Sequence, residues 1–253
     1  ASDALVMRGH SIFEDRGTHI VQRTPSEPRF WFGNQVIFRA LPDAAGDALD
    51  AFSTAFPQAP HCVISFDLPQ PEVPRWWADL PGFAAEHTEV LVLDGAIRGP
   101  ALPSGLVLRQ IVGDSDWAQV VALQHAVSLS QGYTPGPAHS HYIDAKFARI
   151  RAACAQGGFA WFGVFDGSVL AADMGIAWNH RIARYQSVET HPDYRRQGIC
   201  AALLVHVLGH AQAQSPEAMP VILAEKDGAP GRIYRRAGFR HRETLLSLVK
   251  EGY

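Results

Sequence analysis

Apolar runs with strand-like alternation dominate the chain, interrupted by stretches whose apolar residues recur three and four apart. The clearest signal is Phe159–Phe165 followed by Ser168–Trp178 across an Asp166-Gly167 turn, which predicts a hairpin. Ile182–Thr190 reads as the next strand, Val221–Ala224 as a buried one, and Arg240–Lys250 as a last strand or hairpin. Upstream, His19–Gln22, Cys62–Phe66, Glu89–Leu93 and Leu106–Ile111 read as strands. Arg29–Phe38 reads as an aromatic strand pair or bulged strand. Helical spacing appears in Asp43–Phe56 through Leu49, Phe52, Ala55 and Phe56, with Pro57 closing it. It appears again in Trp117, Val120, Val121, Leu123 and His125 behind a cap at Asp114 or Ser115, and over Tyr142–Ala155. Trp76–Leu80 makes a short helix. Ala201–Leu204 restart an apolar helical face, Gln212–Pro220 is a loop, and Ala229 or Pro230 opens a helix carrying Tyr234. This order predicts an α/β (α+β) fold with a mixed, largely antiparallel sheet.

The pattern also divides the chain. Residues 98–105, with Pro100 and Pro103, read as a linker between a lobe over 1–97 and a second over 106–253. A faint repeat joins the two. Gly82-Phe83 and a strand ending Leu93-Asp94-Gly95 parallel Gly238-Phe239 and a strand ending Lys250-Glu251-Gly252.

Composition narrows the function classes. With 253 residues and 47% hydrophobic content the chain can bury an ample core. A formal net charge of −3 argues against broad nucleic-acid binding, and no apolar run is long enough to span a membrane. The start, ASDALVMRGH, lacks the basic-then-apolar pattern of a secretory signal. Cys62, Cys154 and Cys200 are odd in number and far apart, which predicts a reduced, cytoplasmic setting without disulfides. The 12 histidines form no metal-ligand spacing, so no metal is expected.

The candidate chemistry lies after the Ile182–Thr190 strand. Arg195-Arg196-Gln197-Gly198-Ile199-Cys200-Ala201 offers a glycine for close backbone approach, two arginines, and a helix N-terminus with unpaired N–H groups. It lacks the Gly-Lys-Ser/Thr ending of a nucleotide P-loop and suits a pyrophosphate gripped mainly by main chain. Arg195-x-x-Gly198-x-Cys200 resembles the (Gln/Arg)-x-x-Gly-x-(Gly/Ala) loop of the GNAT superfamily of acyl-CoA-dependent N-acetyltransferases. Val188-Glu189-Thr190-His191-Pro192 resembles the family's preceding strand end. Asp227 through Ala229 and Ile233-Tyr234 through Gly238-Phe239 resemble its second signature. The resemblance covers roughly residue 106 onward. It departs at Cys200, where Gly or Ala is usual, and at Asp227, where Asn is usual.

The resemblance implies an N-acetyltransferase moving acetyl from acetyl-CoA to a primary amine of a small or amino-acid-like acceptor, directly, in a ternary complex. Val188 and Thr190 would meet the pantetheine amides, with Asp227 in place of the usual Asn. The amides from Arg196 to Ala201 would grip the pyrophosphate, beside Arg195. Cys200 would sit at the phosphate end, away from the thioester. Tyr234 would be the general acid. Glu189 is the candidate base on chemical grounds, as a carboxylate on the strand meeting the thioester, with His191 and Glu225 as rivals. Tyr133, His139 and Tyr142 are candidate acceptor contacts. The first lobe would be a degenerate GNAT-like copy without the phosphate loop, or an unrelated cap. A protein N-terminus or lysine as acceptor, a non-catalytic CoA-binding module, and a homodimer all stay open.

Overall fold

The computed structural model describes residues 2–69, 71–132 and 136–252. The first half contains α1 (Ser2–Val6), β1 (Ile12–Asp15), β2 (His19–Arg23), β3 (Gln35–Phe38), α2 (Ala45–Ala55), β4 (His61–Phe66) and β5 (Ala84–Leu93). After a stretch without regular structure come β6 (Leu106–Gln110), α3 (Asp114–Ser130), α4 (Pro137–Gln156), β7 (Phe159–Asp166), β8 (Val169–Trp178) and β9 (Ile182–Thr190). The chain continues with α5 (Ile199–Gln214), β10 (Met219–Glu225), α6 (Ala229–Ala237) and β11 (Phe239–Glu251).

All the strands join one sheet in the order β1-β2-β3-β4-β11-β5-β10-β9-β8-β7-β6. Most neighbours are antiparallel. Two pairs run parallel, β3 with β4 and β9 with β10. The repeated Gly-Phe strands lie at the centre: β5 and β11 pair antiparallel from Phe239 opposite Leu93 to Val249 opposite Ala84. Each also borders the other half, β5 against β10 and β11 against β4.

Helices cover the sheet because its strands are apolar on both faces. One core packs α5 and Tyr234 of α6 against β7, β8 and β9, through Leu203, Leu204, Val207, Met174, Ile176 and Tyr185. A second core packs α3 and α4 on the opposite face, through Trp117, Phe147 and Trp161. A third seats Phe52 of α2 on β4 and β11. No helix among the described residues is long and apolar enough to cross a membrane.

Several boundaries differ from the sequence reading, each for a local reason. Arg29–Phe38 is not a strand pair: Trp31–Gly33 form a single 3-10 turn before β3. Asn34 enforces that turn, donating to the carbonyls of Glu27 (2.8 Å) and Phe30 (2.9 Å) while accepting from the Thr24 amide. The cap of α3 is Gly113, and Asp116 turns back to the Val112 amide and the Arg109 guanidinium. That arrangement lowers the Asp116 carboxyl to about 2. The loop placed at Gln212 starts later, because α5 keeps burying its face through Ala211 and runs to Gln214. The last segment is one long strand, bulged at Arg242 where the register skips between His241 and Glu243.

Candidate functional site

The site begins where two parallel strands part. β9 and β10 pair only where Ile182–Arg184 meet Met219–Val221, and β10 then continues against β5. A bulge accompanies the parting. Asp173 of β8 faces Glu189 and Gly175 faces Gln186, leaving Ser187 and Val188 opposite Met174 alone. Ser187 takes a positive φ of 39° to make that turn.

From Thr190 the chain enters a short turn at Pro192–Tyr194 and then the loop before α5. Arg196 (φ 66°) and Gly198 (φ 80°) are both left-handed, which curls the main chain just ahead of α5. The first turn of α5 adds amides with no partner inside the helix. Arg195 pins the loop, donating to the Thr190 carbonyl (3.2 Å) and to Ser130 Oγ (2.9 Å). The stretch joining the halves lies alongside: a Cβ at Gly198 would stand 3.1 Å from Pro100, and the Arg98 amide donates to the Ala237 carbonyl.

The result is a groove of about 1010 Å³, ample for a long substrate. Val188, Glu189 and Thr190 form one wall; Arg195, Arg196 and Gly198–Ala201 form the loop end; Ile233 and Tyr234 form the other wall. Of the residues expected to hold a cofactor, Gln197 and Asp227 do not line it. Gln197 is exposed, and its side chain reaches back to the Asp193 carbonyl. Asp227 has a φ of 64°, a conformation that Asn and Asp tolerate better than other side chains, so a backbone demand accounts for an Asp in the usual Asn position.

Tyr234 is 3% exposed and borders the groove. Burial, then Cys200 and Glu189, push its phenol well above the ordinary value, against the pull of Arg184. Cys200 lies in the first turn of α5 and lines the groove. Its half-buried thiol lies within electrostatic reach of Glu189 and Tyr234. Burial and Glu189 push that thiol up to about 12, so it stays protonated.

Beneath the bulge lies a charged cluster that sequence reading missed. Asp173 is 1% exposed; Trp161 Nε1 donates to its Oδ2 (3.1 Å), and its Oδ1 has no hydrogen-bond partner among the described residues. Lys146 of α4 donates to Gln124 Oε1 (3.1 Å), and Gln124 Nε2 donates to Glu189 Oε1 (3.4 Å). Burial raises the Asp173 carboxyl strongly, with Glu189 adding to it and Trp161 and Lys146 opposing. Burial also raises Glu189, against Lys146, Gln124 and Arg195, and lowers Lys146. The signal was available: Asp173 interrupts an apolar strand, and Lys146 falls on the buried face set by Ile143, Phe147 and Ile150.

The remaining candidates scatter. His191 accepts from the Asp193 amide, and Glu225 ends β10 exposed. Tyr142 lies against Phe30, with ring centroids 5.6 Å apart, and His139 neighbours Tyr142 and His125. Tyr133 lies outside the described residues. Among the described residues, no three His, Cys, Asp or Glu side chains are grouped to hold a metal ion.

Residues 124–239 match the acetyltransferase (GNAT) family. No curated protein matches the sequence significantly. Among solved structures, a functionally unknown conserved protein from Staphylococcus epidermidis superposes with a TM-score of 0.76 at 13% identity, covering 100% of this chain and 98% of that one. A GCN5-related N-acetyltransferase from Kribbella flavida gives 0.66 at 16% identity, covering 99% and 93%. A tandem GNAT protein from the clavulanic acid biosynthesis pathway gives 0.62 at 13% identity, covering 97% and 84%. At these identities the likeness is one of fold.

Proposed function

We propose, from the premise that this chain belongs to the GNAT family through residues 124–239, that it moves an acetyl group from acetyl-CoA to the amine of a small acceptor. Residues 106–253, completed by β5, would form the catalytic lobe, and 1–97 a second GNAT-like lobe. The observation that carries this reading is the open groove that joins the curled loop at Gly198 to Tyr234. A Cβ at Gly198 would be strained and would press on Pro100, so the loop suits a backbone-held diphosphate. Thiols that stay reduced fit a cytoplasmic setting, and all three cysteines are free.

In this mechanism the neutral amine nitrogen attacks the thioester carbonyl carbon and the C–S bond breaks. The ammonium proton passes to Glu189, and Tyr234 gives its proton to the departing sulfur. The raised phenol stays protonated and so has the proton to give. The surroundings that raise Tyr234 also hold the nearby Cys200 thiol up to about 12, so a thiolate released there would gain proton affinity as well. Lys146, tied to Glu189 through Gln124, helps keep that carboxylate anionic while Asp173 carries a proton.

Calorimetry with acetyl-CoA, followed by thiol release with a panel of amines, tests the reading. The wild-type chain should bind acetyl-CoA, and Gly198→Val should weaken binding roughly tenfold or more, the equivalent of about 1–2 kcal/mol of backbone strain. Absence of binding heat for the wild-type chain would remove the acyl-CoA reading.

A further inference from the structure

A second cavity, of about 220 Å³, lies against the bulged stretch of β9. Gln186 and Ser187 line it, whereas Val188, Glu189 and Thr190 line the large groove. One strand therefore borders both spaces with consecutive residues, at the position where it bulges and its backbone leaves the regular ladder. Both halves of the chain build the cavity. Met7, His10 and Phe30 come from the first, and Tyr142, Lys146 and Arg149 of α4 from the second.

We propose that this cavity holds the acceptor, and that the acceptor is a compact primary monoamine with an apolar body, enclosed by the first thirty or so residues of the chain. The inference rests on the acyl-transfer reading and adds to it the acceptor class and a role for the N-terminal segment.

Size carries the first part. The cavity has room for about seven water volumes and falls below the usual range for drug-sized ligands. A polymer-like acceptor would have to leave most of its bulk outside.

The lining carries the second part. Val6, Phe30, Ile150 and Phe159 offer an apolar body its contacts. The charged groups there are Lys146 and Arg149, with His10, whose imidazole burial and Arg149 hold below its ordinary value. Glu27 pairs with Arg149 (3.2 Å), and Glu189 and Asp173 act electrostatically on Lys146 without lining the cavity. No Asp or Glu among the described residues lines the cavity itself. An ammonium entering beside two cations is disfavoured relative to its free amine, and the free amine is the nucleophile that the reaction needs. A diamine would bring a second cation with no carboxylate on the lining to receive it.

The test fills the cavity from two separate elements. Ala153→Leu on α4 and Val6→Phe on α1 both point at lining positions, and circular dichroism would verify folding of each. Benzylamine, isobutylamine, putrescine and a lysine-containing peptide serve as acceptors, with acetyl-CoA as donor. Expected are acetylation of the monoamines in preference to putrescine and the peptide, and a KM for the monoamines raised roughly tenfold or more in a folded variant. The Kd for acetyl-CoA should stay within about twofold, as expected of a site separate from the groove. The inference is overturned if a folded variant leaves the monoamine KM unchanged, if putrescine or the peptide is the better substrate, or if no monoamine is acetylated. Acetyl-CoA heat separates the two levels: heat with no monoamine reaction sinks only this inference, and absence of heat sinks the reading beneath it.

Discussion

The two halves of the sheet run the same course and end differently. Each has a strand, a loop and a helix beside a parallel partner strand: β3 and α2 beside β4, and β9 and α5 beside β10. In the first half the parallel pairing continues to Phe38 opposite Phe66, the last residues of both strands. Residues 39–44 contain no left-handed residue, and Trp76 Nε1 donates to the Pro42 carbonyl (2.8 Å), covering the loop. In the second half the pairing stops after three residues and the loop curls open. Four residues before the shared Gly-Phe stands Ala78 in the first half and Tyr234 in the second.

Buried polar pairs differ in the same sense. The first half sets Gln22 opposite Gln35, whose amide donates to Gln22 Oε1 (2.9 Å) and the Phe32 carbonyl, and whose oxygen accepts from Ser65. The second sets Asp173 opposite Glu189, two carboxylates near one lysine, with Asp173 Oδ1 lacking a hydrogen bond among the described residues. A satisfied neutral network stiffens a fold. An unsatisfied charged one is expensive to bury, which favours a chemical role over a purely structural one.

The contrast is sharpest at Tyr234. Tyr234→Phe should lower kcat by about 10²–10⁴ while leaving the acetyl-CoA Kd nearly unchanged, and Ala78→Tyr should alter neither. Steady-state rates and calorimetry on the two variants check this; an unaltered kcat in Tyr234→Phe would make the halves equivalent after all.

A smaller effect is expected at Asp173. Its folded carboxyl titrates above the ordinary value of 3.8, so the folded state holds a proton that the unfolded chain releases. Stability therefore falls as pH rises from about 3.8 towards the folded value. Asp173→Asn keeps an oxygen for Trp161 and removes this penalty. Its advantage in Tm should grow with pH over that window, reaching about 2–4 °C for each kcal/mol recovered. A pH-independent difference in melting curves would contradict the proton placement.

The smallest expected effect compares the paired glycines. Gly238 (φ 110°) and Gly82 (φ 82°) both lie in left-handed space, where alanine costs about 1 kcal/mol or more. A Cβ at Gly238 would stand 3.2 Å from Leu93, and one at Gly82 would stand 3.5 Å from the flexible end of Lys250. Gly238→Ala should destabilise more in urea titrations; the reverse order would break the packing argument.

Much of this was legible in the chain. The Asp166-Gly167 hairpin, the Ile182–Thr190 strand and the Arg195–Ala201 loop are local features, and local turn chemistry specifies them. The Gly-Phe repeat was legible too, but its strands meet only through distant pairing, so their adjacency was not. The Asp173–Lys146 cluster escaped for the same reason: Asp173 is a solitary charge in an apolar strand and Lys146 one charge of several on α4, and only tertiary packing of α4 against α3 and β7 brings them near each other. The 3-10 turn at Trp31–Gly33 hid behind aromatic residues that usually favour strands, because one asparagine outweighed them.

The crossed placement of β5 and β11 has a consequence for synthesis. Neither half can close its inner edge until Phe239–Glu251 has left the ribosome, so β4 and the far side of β5 wait with open strand edges. Such a chain should gather slowly and depend on chaperones while it emerges. Severed between the halves, it should yield two pieces that each seek the other to become whole.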